Sequence, residues 1–259
     1  MILKATNVSI RYGAHCALDG FSLGFSPAEI VALIGPNGSG KSTALHALAG
    51  LTRPEVGEVV LDGREMRQWK RRNLAKRLSF LPQAPYAPDD MSVEQLVRQG
   101  RFAHLGPFQG FRSEDRMAVQ WALESTGLEE LADRGLKELS GGERQRAWIA
   151  AALAQESGIL ILDEPTSFLD IGHQVEILEL ISRLSRERGV TVVIAIHDLN
   201  HAMAIADRIA LLSAGRLVFE GSPAALSTTG LLETTFNVKG KFIRSDAADA
   251  PYLQIRVQR

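Results

Sequence analysis

At 259 residues, with 45% hydrophobic residues and a formal net charge of −1, the chain has a globular composition, and no overall field recommends nucleic acid or an anionic membrane surface as a partner. Its length suits one large α/β domain with an insertion, or two domains. A single cysteine, Cys16, excludes an intramolecular disulfide framework and points to a reduced cytosol. The N-terminus runs straight into strand-like sequence (Leu3 to Ile10) without an export pattern. Apolar stretches such as Val190–Ile196 are too short to span a bilayer, so any membrane crossing is expected of another chain.

The apolar run Ile30-Val31-Ala32-Leu33-Ile34 leads into Gly35-Pro36-Asn37-Gly38-Ser39-Gly40-Lys41-Ser42-Thr43. This strand, loop and helix order is that of a nucleotide phosphate site. The glycines let backbone N–H groups turn toward phosphate oxygens, Lys41 can reach the β- and γ-phosphates, and the Ser42 hydroxyl can ligate Mg²⁺. A helix through Ala44, Leu45, Ala47, Leu48 and Ala49 starts beneath the anion and is stopped by Gly50. The rest of the chain up to about residue 83 reads as short strands, Val56–Asp62 before Gly63 among them. Within it, Arg64–Arg77 carries seven basic residues in fourteen. Leu74 and Leu78 on one face predict a solvated basic helix, and lipid head groups or an acidic partner loop are the sharper uses of such a segment.

From residue 84 the character changes. Pro85 and Pro88 break the chain, and Val93–Gln99, Glu114–Ser125 and Gly142–Ala154 read as helices. Leu139-Ser140-Gly141-Gly142-Glu143-Arg144-Gln145-Arg146 has the makings of a second anion site, with Ser140 capping a helix start and two glycines exposing N–H groups. Buried-strand sequence follows at Ile159–Leu162, with Asp163, Glu164 and Pro165 where the strand exits. Asp163 suits Mg²⁺ held through water, and Glu164 could take a proton from an attacking water. Ile171–Arg188 has helical periodicity at Val175, Leu178, Ile181 and Leu184, and Val190–Ile196 is a second buried strand. His197 and His201 share the i, i+4 spacing of a helical metal site, but Asp198 stands where a metalloprotease has Glu, and His197 belongs at the strand end. The other histidines show no ligand spacing. A helix over Pro223 to Glu233 and weak strands complete the chain.

With these motifs in this order, the chain resembles the ATP-binding cassette ATPases, whose signature is Leu-Ser-Gly-Gly-Gln/Glu, over essentially residues 3–225. The resemblance implies an α/β fold: a P-loop NTPase (RecA-like) core with an N-terminal antiparallel β subdomain and an inserted α-helical subdomain. On that pattern residues 1–240 form the ATPase domain, with the insertion at about 84–150 and a tail at 241–259. It implies ATP and Mg²⁺ as cofactors, with the nucleotide on Gly35, Pro36, Asn37, Gly38, Ser39, Gly40, Lys41, Ser42 and Thr43 and the metal on Ser42, Gln83 and Asp163. Glu164, His197 and Gln83 take the catalytic positions, and Tyr12 that of the aromatic stacked on adenine. Ser140, Gly141 and Gly142 would face the ATP of a second copy in a sandwich homodimer. Asp170, in Ser167-Phe168-Leu169-Asp170, is the expected contact across that interface. Phe168 departs from the small residue common there.

Cassettes of this type divide into transporter subunits and ATPases acting on DNA or ribosomes. The second group resembles chains with long coiled coils, zinc cysteines or paired cassettes, and this sequence has none of these. Gly100-Arg101-Phe102-Ala103-His104, the run Glu143–Ala150, and Leu169-Asp170-Ile171-Gly172-His173-Gln174 are similar to importer ATPases for ferric siderophores, haem and cobalamin. They are closest to the ferric-siderophore group, including ferric-hydroxamate systems, with departures at Ala103 and Gly172. The implied partners are transmembrane permease subunits and, through them, a substrate-binding protein. No nucleic acid is expected, and the implied location is peripheral, on the cytoplasmic face of the inner membrane.

Overall fold

The computed structural model describes residues 1–88, 90–106, 110–243 and 251–255. Of the expected tail, residues 244–250 and 256–259 lie outside the described residues. The strands are β1 (Leu3–Tyr12), β2 (His15–Phe25), β3 (Ile30–Ile34), β4 (Val56–Leu61), β5 (Arg64–Glu65), β6 (Leu78–Leu81), β7 (Ile159–Asp163), β8 (Thr191–Ala195), β9 (Arg208–Ser213), β10 (Arg216–Gly221), β11 (Gly240–Ile243) and β12 (Tyr252–Ile255). The helices are α1 (Lys41–Leu48), α2 (Arg71–Ala75), α3 (Val93–Gln99), α4 (Ser113–Thr126), α5 (Gly141–Ala154), α6 (Ile171–Arg188), α7 (Leu199–Ile205), α8 (Pro223–Leu226) and α9 (Leu231–Phe236).

The chain forms two compact units, one of residues 1–68 with 191–259 and one of residues 69–190. In the first, an antiparallel sheet runs β2-β1-β4-β5, and a second set of strands runs β10-β9-β3-β8. β3 is parallel to both of its neighbours, Ala32 pairing with Ile194 of β8 and Ile209 of β9. Every residue of β3 and β8 is buried, as expected for continuous apolar runs in a covered parallel sheet. β1 and β2 are longer than the short strands expected. Asn7, at φ 51°, and a register shift between Ala5 and Val8 bulge β1, so its sequence does not alternate cleanly.

In the second unit β6 and β7 pair in parallel, Leu81 opposite Leu162. The expected helices are present: α3 and α6 have the bounds read from sequence, while α4 and α5 start one residue earlier and α4 ends one later. Arg64–Arg77 is not one helix. It divides into β5, a 3-10 turn over Met66–Gln68 and the short α2, and Leu78 opens β6. Leu74 and Leu78 are both buried, but as parts of different elements, which a single helical period could not separate. The segment Pro223 to Glu233 likewise splits into α8 and α9. Thr228 and Thr229 turn their hydroxyls back onto Ala225 O and Leu226 O at 2.8 Å each, satisfying carbonyls at the end of α8, and Gly230 leaves the helical region at φ 67°.

A buried charge cluster holds the ends of α4 and α5. Arg101, 3% exposed, donates from Nε to Asp115 Oδ1 at 3.0 Å and from Nη1 to Ala154 O at 2.8 Å and Glu156 Oε2 at 2.6 Å. Burial works against the Asp115 carboxylate, but the Arg112 amide and the Arg101 guanidinium outweigh it and hold its pKa below the ordinary range. Arg101→Ala leaves a buried carboxylate without its cation, so unfolding free energy in urea should fall by about 3–5 kcal/mol. Because the folded pKa of Asp115 is depressed, its contribution is complete above the unfolded value of about 3.9 and disappears as pH falls through the folded value below it. The stability difference between wild type and Asp115→Asn should therefore be flat from pH 5 to 7 and shrink only below about pH 4. A difference that grows on acidification contradicts the pairing.

Candidate functional site

The phosphate loop leaves the end of β3 in the first unit. Gly40 has φ 101°, and a Cβ there would lie 2.5 Å from Ala17 O, so conformation and space both demand glycine. At Gly35 a Cβ would meet Leu212 O at 2.2 Å. Lys41, 5% exposed, donates from Nζ to Gly35 O at 2.9 Å and Pro36 O at 3.2 Å, tying the loop's ends together with a buried cation. The Ser39 side chain is 3% exposed, and its Oγ has no hydrogen-bond partner among the described residues. A buried hydroxyl left unpaired costs about 1–3 kcal/mol, a cost that an acceptor oxygen reaching this loop would recover. Ser42 and Thr43 occupy the first turn of α1, which carries no acidic residue to oppose an anion.

The same strand edge holds His197. The Ile196 amide donates to Leu33 O at 3.2 Å, so β8 ends beside β3 and His197 emerges, exposed, at the carboxyl edge from which the phosphate loop springs. Asp198 then caps α7, its Oδ1 accepting from the amides of Asn200 at 2.8 Å and His201 at 3.0 Å. His197 thus precedes the helix that contains His201, and the pair is not an i, i+4 helical pair. Tyr12 ends β1, opposite His15 in the β1–β2 hairpin, with about half of its surface exposed.

In the second unit β7 delivers Asp163 and Glu164, 4% and 7% exposed. Glu164 takes a left-handed backbone, φ 52°, unusual for a residue of its type and a common mark of a constrained functional turn. Gln83, two residues beyond β6, donates from Nε2 to Glu164 Oε2 at 2.6 Å, and Ser167 Oγ donates to the same oxygen at 3.3 Å. The carboxylate expected to act as base is therefore oriented by an amide 81 positions away in sequence. Ser167 was not singled out; its position three residues after Glu164 in a tight turn is the signal that would have found it.

The signature residues begin α5. Ser140 Oγ accepts from the Glu143 amide at 3.3 Å, while Glu143 Oε2 accepts from the Ser140 amide at 2.8 Å, a reciprocal capping box. The Ser140 amide is the main reason that the Glu143 pKa is lowered. Ser140 and Gly141 are exposed, whereas Gly142 is buried. Asp170 caps α6 through Oδ1, which accepts from the His173 amide at 3.0 Å, and that hydrogen bond is the leading cause of its lowered pKa. Phe168, beside it, is 96% exposed at φ 66°.

Comparison with known proteins decides the family. Residues 18–167 match the family described as ABC transporter. The chain is 39% identical over 249 residues to the iron(3+)-hydroxamate import ATP-binding protein FhuC of Bacillus subtilis (strain 168), covering 96% of this chain and 93% of that protein. The chain belongs to the ABC transporter family. It is also 39% identical over 249 residues to the ferric enterobactin transport ATP-binding protein FepC of Escherichia coli (strain K12), covering 96% of this chain and 92% of that one. Among solved structures, the dimeric post-hydrolysis state of the ATP-binding cassette MJ0796 with ADP and Pi superimposes with a TM-score of 0.74 at 31% identity, over 85% of this chain and 98% of that one. As an ABC ATPase the chain binds ATP and ADP and hydrolyses ATP.

The loop geometry makes a direct prediction for nucleotide affinity. Lys41→Ala removes the buried ammonium, and a charge-assisted contact is typically worth about 1.5–3 kcal/mol. The dissociation constant for ATP, from titration with a fluorescent ATP analogue, should rise roughly 10- to 150-fold. An unchanged constant would exclude Lys41 from the phosphate site.

Proposed function

We propose that this chain is the energy-coupling subunit of an importer for ferric siderophores. The observation that carries the reading is its 39% identity, over 96% of its length, to proteins described as importing iron(3+)-hydroxamate and transporting ferric enterobactin. We take residues 1–240 as the ATPase domain, about 84–150 as its helical insertion and 241–259 as a tail.

On this reading the backbone of Gly35–Gly40 with Lys41, Ser42 and Thr43 cradles the phosphates, the Ser39 hydroxyl gains its acceptor, and Tyr12 stacks on the adenine. The donor set also fits Mg²⁺, because Asp163 is a carboxylate held 4% exposed at the end of a parallel strand. Ser42, Gln83 and Asp163 would hold the ion, which supplies charge neutralisation on the phosphates. Glu164 accepts a proton from the water whose oxygen bonds to the γ-phosphorus, and the bond from that phosphorus to the bridging oxygen breaks, leaving ADP with the electron pair. Gln83 holds the base in place, and His197 contacts the γ-phosphate. In a homodimer, Ser140, Gly141, Gly142 and Asp170 of one copy address the nucleotide of the other. The MJ0796 structure is described as dimeric, which supports the assembly.

Among the described residues no helix is long and apolar enough to cross a membrane. The likeness to import ATP-binding proteins supports a peripheral subunit on the cytoplasmic face of the inner membrane, working with permease chains and, through them, a substrate-binding protein.

Glu164→Gln keeps the shape of the side chain and removes the base. Turnover should fall about 10²- to 10⁴-fold while ATP binding stays within about twofold, and sedimentation in MgATP should show dimer accumulating. Wild-type turnover by this variant would exclude Glu164 as the base. Transport itself is tested by reconstituting the chain with its co-purifying membrane subunits and binding protein in vesicles. Ferric hydroxamate or ferric catecholate should be taken up and should stimulate ATP turnover. Uptake of haem or cobalamin alone would leave an importer of a different ligand, and outward pumping without a binding protein would overturn import.

A further inference from the structure

His173 lies outside every role assigned so far, yet it joins two of the groups read as facing nucleotide. It stands in the first turn of α6, with its side chain 34% exposed. The helix cap that Asp170 provides needs only the His173 amide on Oδ1. The imidazole makes a second bond, Nδ1 to the other carboxylate oxygen, Oδ2, at 2.7 Å. An ionised carboxylate only accepts hydrogen bonds, so Nδ1 carries the proton. That bond fixes the ring plane, and the ring lies on the start of the signature helix. A methyl group on Gly142 would fall 2.2 Å from His173 Cδ2, 2.6 Å from Cγ and 2.9 Å from Nε2. One residue earlier, a methyl group on Gly141 would lie 3.5 Å from Leu169 Cδ2. The loop that supplies Leu169 and Asp170 begins at Glu164 and is itself pinned: Gln174 Nε2 donates to Leu169 O at 3.0 Å and Thr166 O at 3.3 Å.

We propose that His173 is a positioning residue for ATP hydrolysis, locking the signature turn at Gly141–Gly142 to the Asp170 loop that follows Glu164. The proposal rests on the reading of Ser140–Gly142 and Asp170 as nucleotide-facing groups. The absence of a side chain on Gly142 is then explained by the imidazole. Only glycine admits a ring held by a charged partner, because the ring cannot swing aside without breaking its bond to Asp170. The two contacts act as one clamp, so a signature turn that moves must carry Asp170 with it.

The test measures kcat, KM and ATP affinity for the full chain with MgATP. His173→Ala should lower kcat about tenfold with KM and ATP affinity within about twofold, since the phosphate loop is untouched. Gly142→Ala should lower kcat about 30-fold or more, because its methyl meets a fixed ring. In Gly142→Ala/His173→Ala the obstacle is gone, and kcat should return to the His173→Ala level instead of falling to the product of the two losses. His173→Asn, which keeps a donor for Asp170, and His173→Phe, which keeps a ring over Gly142, should each retain more turnover than His173→Ala. Wild-type kcat in His173→Ala, or strictly multiplicative losses in the double variant, would overturn the clamp. Where Gly142→Ala does not fold, Asn and Phe variants no better than Ala do the same. Ser140→Arg separates this from failure of the underlying reading. If that variant hydrolyses at the wild-type rate, the signature reading falls by itself. Additive changes in thermal unfolding of the Gly142 and His173 variants would then also remove the contact.

Discussion

The structure of the first unit depends on β3 having no free edge. Its backbone is paired in parallel to β8 on one side and β9 on the other, and all five of its residues are buried. A strand so held cannot shift register without breaking two ladders and exposing Val31, Leu33 or their neighbours. Its carboxyl end is therefore a fixed origin for the loop that follows. A Cβ on Gly35 or Gly40 would fall within hard-contact distance of the backbone at Leu212 or Ala17, so only glycine lets the loop take this curvature. Lys41 closes it with a buried cation bonded to the loop's own carbonyls. On the function proposed above, a phosphate would meet a loop whose shape is already set, and little ordering cost would remain to be met on binding.

The second unit solves a different problem. Here carboxylates are held by specific donors, from the buried Asp115 to the exposed Asp170. Asp115 is compensated by Arg101, and Glu143 and Asp170 by amides at helix starts, which offer donors that no intrahelical acceptor uses. Glu164 is treated differently. The amide of Gln83 and the hydroxyl of Ser167 both donate to its Oε2 and orient that oxygen. The same helix-start chemistry also sets up Asp170 and His173, where one carboxylate serves a backbone amide and a ring nitrogen together.

Much of this was legible in the sequence, and for physical reasons. Strands buried on both faces must be continuously apolar, which exposed β3, β7 and β8. The helical period at Val175, Leu178, Ile181 and Leu184 marked α6. Glycines at set intervals and a lysine after the last of them marked the loop that follows β3 as a candidate phosphate site. The misreadings share one cause. Leu74 and Leu78 repeat at a helical interval but are buried by different elements, and the threonines after Leu226 end a helix through local hydrogen bonds that periodicity does not register.

The sequence by itself therefore determined the chemistry available: which residues could cradle phosphate, hold a cation, accept a proton or cap a helix. Those properties are local, carried by residue type and short spacing. Only the tertiary structure decided which of them meet. Gln83 reaches Glu164 from 81 residues away because β6 and β7 pair in parallel and end side by side. Ser39 is left without a partner among the described residues only where its loop is enclosed, and His173 comes to rest on Gly142 only because α6 packs against α5. Contacts of this kind follow from the burial of apolar faces far from the residues concerned, and no local pattern around Gln83, Ser39 or His173 encodes them.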